Sequence, residues 1–128
     1  MINTTVAAKP ACSVMVVDDD PGIRDLVADI LDFGGFGVHV AANGQEALDL
    51  LGRQTVGVIL LDMRMPVLDG WGFAKALRAR GLTPQVIVMT AAQDSNAWAQ
   101  EIGAASCLPK PFETEDLLNE VRRACRSA

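Results

Sequence analysis

Residues 13–31, SVMVVDDDPGIRDLVADIL, contain the stretch that decides the fold. The apolar run 13–17 is rich in β-branched residues and does not alternate with polar ones, which is typical of a strand covered on both faces. Asp20 followed by Pro21 predicts the start of a helix. The apolar residues that follow are spaced as on one face of a helix: Ile23, Leu26, Val27, Ile30 and Leu31. The stretch therefore predicts one buried strand followed by one amphipathic helix.

The same order of apolar run and amphipathic segment recurs four more times along the chain. Further strands are predicted at 38–42, 56–61, 85–89 and 105–108, and further helices are predicted to start near Asn43, Gly70, Asp94 or Ser95, and Glu113 or Thr114. Strands that alternate with helices predict a parallel sheet with helices on both faces. The expected fold is α/β, a doubly wound five-stranded parallel sheet in the flavodoxin-like order 2-1-3-4-5.

Length and composition limit the class of protein. The 128 residues fit one domain, and the 50% hydrophobic content excludes a disordered chain. The formal net charge of −5 disfavours nucleic acid and anionic membranes as direct partners, because both would repel the chain. Residues 1–11 lack the apolar segment of a secretory signal, so we expect a disordered leader at 1–11 and the domain at 12–128.

The cysteines are few and widely spaced. Cys12, Cys107 and Cys125 form an odd count without a CxxC pair. This pattern favours reduced thiols in a cytoplasmic protein over a disulfide framework, with Cys12 and Cys125 acting as small apolar residues. The cytoplasm is therefore the expected location.

Polar residues follow four of the five predicted strands. Right-handed crossovers place the carboxyl ends of all strands at one edge of such a sheet, which is where its ligands bind. The residues at these strand ends are Asp18, Asp19, Asp20, Asp62, Thr90 and Lys110. Asp20 is explained as the cap of the first helix, so we expect the other five to form a site.

These residue types predict phosphoryl chemistry. Close carboxylates from Asp18, Asp19 and Asp62 would repel one another unless a cation neutralises them, and Mg²⁺ prefers such oxygen ligands. Asp62 is the best candidate for a carboxylate nucleophile because it follows a strand directly. Lys110 and the Thr90 hydroxyl are suited to bind phosphoryl oxygens.

Four segments in this order, VMVVDDDPGIRDLV, VILLDMRMPVLDGW, VIVMTA and LPKPF, resemble the receiver domain of bacterial two-component response regulators. The resemblance extends from about Ser13 to the last helix. It implies that Asp62 accepts a phosphoryl group from a phosphohistidine on a sensor histidine kinase or a histidine phosphotransfer protein. It also implies Mg²⁺ held by Asp19, Asp62 and the backbone carbonyl of Arg64, with Asp18 acting through water.

The resemblance carries further expectations about the site, the output face and the activity. Thr90 and Lys110 would contact the phosphoryl group, and the Lys110–Pro111 peptide bond would be cis. Phosphorylation would change the face made by the fourth helix, fifth strand and fifth helix. A downstream protein, a fused output domain or a second copy of the chain in a phosphorylation-dependent homodimer would read that change. Such a protein catalyses only its own phosphorylation and dephosphorylation and is not an enzyme for external substrates.

Two positions depart from the family pattern. Receivers usually carry an aromatic residue three positions before the lysine, where this chain has Cys107. Cys107 is too small to replace that ring, so we expect weaker coupling between the site and the output face, or coupling through Trp98. Trp98 stands where the family commonly has a polar residue, and the sequence allows it to pack beside Ile102 or to face solvent.

Two other classes of protein fit the sequence less well. A metal-dependent aspartyl-phosphate phosphohydrolase would share Asp62, Mg²⁺ and a lysine, but usually has an acidic residue where this chain has Arg64, which cannot donate a proton. A flavin- or nucleotide-binding module needs a Gly- or Ser-rich first turn, not three aspartates.

His39 is expected on an edge strand away from the site, and three methionines are expected to serve in packing: Met63, Met65 and Met89.

Overall fold

A computed structural model describes residues 12–91, 93 and 95–127. Five strands alternate with five helices along this part of the chain, as predicted. The strands are β1 (Ser13–Val17), β2 (Gly37–Ala41), β3 (Val58–Leu61), β4 (Gln85–Thr90) and β5 (Ser106–Pro109). The helices are α1 (Pro21–Phe33), α2 (Gly44–Leu51), α3 (Gly70–Ala79), α4 (Ser95–Ile102) and α5 (Thr114–Ser127).

The strands form one parallel sheet in the order β2-β1-β3-β4-β5, which confirms the predicted topology. The register pairs Val17 of β1 with Ala41 on one side and with Leu61 on the other. At the far end of the sheet, Thr90 of β4 pairs with Pro109 of β5. Since β1 and β3 are neighbours and end in register, the residues that follow them are adjacent.

The sheet is buried on both faces, as the unbroken apolar runs predict. Alternate residues of β1 enter different clusters: Met15 and Val17 face α2, α3 and α4, whereas Val14 and Val16 face α1 and α5. Burying each such side chain contributes about 1.5–3 kcal/mol, so this double core holds the strand ends rigidly. None of the described helices is both long enough and apolar enough to cross a membrane.

Element boundaries differ from prediction by one or two residues, because pairing with neighbours decides where a strand begins. The third strand begins at Val58, not at position 56, since Val58 pairs with Val14 on one side and with Gln85 on the other. Helix caps agree more closely with the sequence. Asp20 caps α1 by accepting hydrogen bonds from two backbone N–H groups, and Asn43 caps α2.

The prediction of three reduced thiols is wrong for two of them. Cys12 and Cys125 are disulfide-bonded, with their Cα atoms 5.9 Å apart across a sequence separation of 113. Both pack against the core that α1 and α5 share, which brings the residue before β1 beside the end of α5. Cys107 is free. A pair this distant in sequence has no spacing signature, so only the folded chain reveals it.

Two expectations lie outside the described residues. The leader at 1–11 is one of them, and Asp94 as the first residue or cap of α4 is the other. The described part of α4 begins at Ser95, and α5 begins at Thr114.

Candidate functional site

The predicted site residues come together at the carboxyl edge of the sheet. Asp18 follows β1 directly, Asp62 follows β3, and Lys110 follows β5. Thr90 is the last residue of β4 and is buried; its carbonyl accepts a hydrogen bond from the Lys110 backbone N–H at 2.9 Å. Asp19 lies in the turn between β1 and α1 and is exposed. The strand ends thus hold four of the five side chains on a rigid frame.

Three carboxylates form the centre of this site. Oxygens from Asp18, Asp19 and Asp62 lie within 4.8 Å of one another. Asp18 is fully buried and Asp62 is 7% exposed, whereas Asp19 faces solvent. Carboxylate oxygens that converge from two buried positions and one exposed position suit a hard cation such as Mg²⁺, which keeps some of its waters. The donor set therefore fits the metal that the sequence predicts.

Lys110 is the cation within this cluster. Its Nζ lies 2.7 Å from Asp18 Oδ2 and 4.0 Å from Asp62 Oδ2. The Lys110–Pro111 peptide bond is cis, as the resemblance implies. The two Nζ distances show that Lys110 pairs with Asp18 and lies beside Asp62, where its ammonium group can bind a group attached to the Asp62 carboxylate.

Burial changes the acidity of Asp62. Its pKa is raised from the ordinary 3.8 to about 6, chiefly by desolvation, and repulsion from Asp18 and Asp19 acts in the same direction. The Lys110 charge and the Arg64 backbone N–H lower the pKa in part. Asp62 is thus costly to ionise in the folded chain, which is a property typical of functional carboxylates.

Sequence reasoning missed the contacts that satisfy Asp18. The Asp20 backbone N–H donates to Asp18 Oδ1 at 2.9 Å, while Lys110 occupies the other carboxylate oxygen. The Arg24 guanidinium, from the first turns of α1, donates to the Asp18 carbonyl at 2.9 Å. The signal that could have found Arg24 was its positive charge one helical turn beyond three aspartates.

The loop between β3 and α3 folds tightly against the end of β3. The Gly70 N–H donates to the Met63 carbonyl at 2.9 Å, and a Cβ atom at Gly70 would lie 2.8 Å from Met63 Cα, so only glycine fits there. Val67 in the same loop has φ of 73°, an unfavourable conformation for a β-branched residue. The loop thus presents Asp62 and Arg64 at the edge of the sheet at a conformational cost.

Trp98 packs inward, which decides between the two alternatives that the sequence allows. It is 9% exposed, and its ring meets that of Trp71 edge-on with centroids 5.0 Å apart. The Arg64 guanidinium carbon lies over the Trp98 ring, 5.0 Å from its centroid. Trp71 Nε1 donates to Glu101 Oε1 at 2.8 Å. These contacts join the β3–α3 loop, α3 and α4.

The predicted places of the three methionines and of His39 agree with the structure. Met63 and Met89 are fully buried and Met65 is 8% exposed, which confirms their role in packing. His39 lies on the edge strand β2. Cys107 is half-buried, and its thiol donates to Asn96 Oδ1 of α4 at 2.8 Å. A cysteine thus contacts α4 from the position where the family usually has an aromatic ring.

Comparisons with known proteins agree with this fold. Residues 14–122 match the response regulator receiver domain family. The chain is 38% identical over 116 residues to the response regulator MprA of Mycolicibacterium vanbaalenii, which covers 88% of this chain and 50% of MprA. The receiver domain of the Francisella response regulator 1452 superposes with a TM-score of 0.83 at 30% identity, covering 91% of this chain and 98% of that one. Chemotaxis protein CheY4 of Vibrio cholerae gives 0.81 at 32% identity, covering 88% and 98%.

The share of each relative that the chain covers differs between the MprA proteins and the solved receiver structures. The chain spans about half the length of the MprA relatives that it matches, whereas it spans nearly all of the two solved receiver structures. The family match, over residues 14–122, includes the carboxyl end of every strand described above. On these grounds the chain belongs to the response regulator receiver domain family.

Proposed function

We propose that this domain, over residues 12–128, is a phosphorylation-dependent signalling switch in which Asp62 is the phosphorylated residue. The observation that carries the proposal is the position of Asp62 among two further carboxylates and the Lys110 ammonium group. Transfer of a phosphoryl group to a protein requires a nucleophile, a metal site and a neutralising cation. The carboxyl edge of the sheet has side chains suited to all three roles.

In the proposed reaction an Asp62 carboxylate oxygen attacks the phosphorus of a phosphohistidine. The new O–P bond forms as the P–N bond breaks, and the electron pair leaves with the histidine nitrogen. Asp19, Asp62 and the Arg64 carbonyl would hold Mg²⁺, with Asp18 acting through water. The metal would neutralise charge that develops on the phosphoryl oxygens.

Lys110 has a defined role in this proposal. Its Nζ is within 4.0 Å of Asp62 and hydrogen-bonds to Asp18. A phosphoryl group on Asp62 would attract the ammonium group more strongly than one carboxylate does, so Lys110 shifts toward it. The Thr90 hydroxyl, at the adjacent strand end, would donate to another phosphoryl oxygen.

The partners follow from this chemistry. A sensor histidine kinase or a histidine phosphotransfer protein would supply the phosphoryl group in the cytoplasm. The α4–β5–α5 face would deliver the signal to a downstream protein, a fused output domain or a second copy of the chain. Nucleic acid would not bind directly, because the chain carries a net charge of −5.

Acetyl phosphate with Mg²⁺ tests the proposal through the intact mass of the protein. We expect one phosphoryl group per chain, stable in acid and labile in base, and none in Asp62→Asn. The exposed cap of α3 provides the matched control, Asp69→Asn, which should label as the parent does. Full labelling of Asp62→Asn would contradict the assignment. Sustained release of phosphate from many substrates would instead support the phosphohydrolase alternative.

A further inference from the structure

The contacts between the active edge and α4 include an arginine that stands next to the proposed phosphorylation site. Arg64 lies two residues after Asp62, and its backbone N–H lowers the pKa of the Asp62 carboxyl. Its guanidinium group covers the ring of Trp98, which belongs to α4. A single residue thus contacts the site through its backbone and the fourth helix through its side chain.

Trp98 is held from a second direction by α3. Its ring meets Trp71 of α3 in an edge-to-face contact at 5.0 Å, and Trp71 is hydrogen-bonded to Glu101 of α4. We call these four residues, Arg64, Trp71, Trp98 and Glu101, the arginine–tryptophan clamp. Because Arg64 is exposed while Trp98 is 9% exposed, the guanidinium shields a ring that would otherwise meet solvent.

We propose that Arg64 exchanges partners on phosphorylation, leaving the Trp98 ring for the phosphoryl group on Asp62 and thereby releasing α4 from the loop. This inference rests on the proposed function. Stacking of an exposed guanidinium on a ring is a weak interaction. A doubly charged phosphoryl group accepts charge-assisted hydrogen bonds from the planar fork of arginine, which are stronger. The exchange is therefore favourable once the phosphoryl group is present.

This change of partner by Arg64 couples the phosphorylation site to α4 without an aromatic residue at position 107. Cys107 reaches α4 through its thiol and Asn96, but a thiol has no ring to move between two positions. The clamp instead contacts α4 from the loop that carries Asp62. Release of Trp98 would alter α4, which forms one side of the proposed output face.

Thermodynamic linkage gives the exchange a measurable consequence. If bound phosphoryl draws Arg64 from Trp98, then removing the ring must strengthen phosphoryl binding by the same free energy. Cation–π stacking at an exposed site corresponds to roughly a two- to fivefold change in affinity. A purely structural role for Trp98 predicts the opposite, because a damaged helix would weaken the site.

Beryllofluoride, a phosphoryl mimic, tests this when its affinity is measured by calorimetry with Mg²⁺ present. We expect Trp98→Leu to bind roughly two- to fivefold tighter than the parent and Arg64→Ala to bind weaker. Trp98→Leu should have no effect in the Arg64→Ala background. Trp98→Phe, a poorer cation–π partner that keeps the packing, should tighten binding by less. Arg78→Ala is the matched control, since Arg78 also contacts α4, through the Ile102 carbonyl at 3.3 Å, but far from Asp62.

Amide exchange across 95–102 is the second measurement. Beryllofluoride should speed exchange in the parent and in Arg78→Ala, whereas Arg64→Ala should exchange fast already and change little. Unchanged or weaker binding by both Trp98 variants, or a parent-like exchange response in Arg64→Ala, would overturn the inference. Labelling by acetyl phosphate separates this failure from that of the proposed function. If the exchange tests fail and the parent is labelled, only the exchange is refuted, whereas a parent that is not labelled refutes both.

Discussion

At the carboxyl edge of the sheet three carboxylates lie within 4.8 Å of one another, whereas at the amino edge Cys12, just before β1, is disulfide-bonded to Cys125 of α5. The carboxyl edge also contains Val67 with a positive φ and a raised pKa at Asp62. Each of these features lowers stability, while the disulfide and the apolar packing around it raise stability. The fold thus concentrates costly chemistry at one edge and stabilising contacts at the other.

The largest effect is expected at the amino edge. Loss of the disulfide in the double variant Cys12→Ala, Cys125→Ala should lower the free energy of unfolding by about 4 kcal/mol, because a cross-link over so long a loop restricts the unfolded chain. Urea unfolding with and without reductant measures this difference. The control variant Cys107→Ala should show the same difference in the free energy of unfolding with and without reductant as the parent. Alkylation of all three thiols in unreduced, denatured protein would contradict the pairing.

Replacement of Asp62 measures how much the ionised carboxylate at the carboxyl edge lowers the free energy of unfolding. In metal-free buffer at pH 7, Asp62→Asn should be more stable than the parent by up to about 3 kcal/mol, which is what a pKa raised from 3.8 to about 6 corresponds to. Because folding raises this pKa, the folded state binds more protons, and parental stability falls as pH rises from about 4 to about 6. Asp62→Asn should lack that decrease. Urea unfolding at several pH values measures it.

The neutral control for this comparison is Asp69→Asn. Asparagine caps a helix as well as aspartate does, so the cap of α3 should be preserved and its pH profile should match that of the parent. A parent and an Asp62→Asn protein with parallel pH profiles would show that Asp62 is not costly to ionise.

Mg²⁺ should reduce the difference between the two edges. At ten times its dissociation constant it should stabilise the parent by about 1.4 kcal/mol, because it binds only the folded site. Asp19→Ala should lose most of this gain, whereas Asp25→Ala, at an exposed position of α1, should keep it. Thermal unfolding across a Mg²⁺ titration measures the effect. An undiminished gain in Asp19→Ala would place the metal elsewhere.

Val67 gives the smallest expected effect at the carboxyl edge. Val67 is 79% exposed with φ of 73°, so Val67→Asn removes strain without loss of packing and should stabilise the protein by about 1 kcal/mol. The same exchange at the half-exposed Val40 of β2 should be destabilising, since β2 is extended there. Chemical denaturation compares the two. A Val67→Asn protein no more stable than the parent would refute the strain.

Patterns within short segments were sufficient to predict the architecture and which residues lie at the carboxyl edge of the sheet. The apolar runs of β1 and β3 indicate doubly covered strands, and Asp20 marks the start of α1. Five strand-end side chains, Asp18, Asp19, Asp62, Thr90 and Lys110, follow from the rule that parallel strands end at one edge. These signals are readable because period, capping and strand termination depend on neighbouring residues.

Contacts between distant segments were decided by tertiary structure alone. The bond between Cys12 and Cys125 depends on where α5 crosses the sheet. The choice of Asp18 as the nearest partner of Lys110 depends on the spacing of β1 and β5 across the sheet edge. Trp98 lies beneath Arg64 because α4 packs beside the β3–α3 loop. No local period encodes such meetings, since they arise from how the elements pack in space.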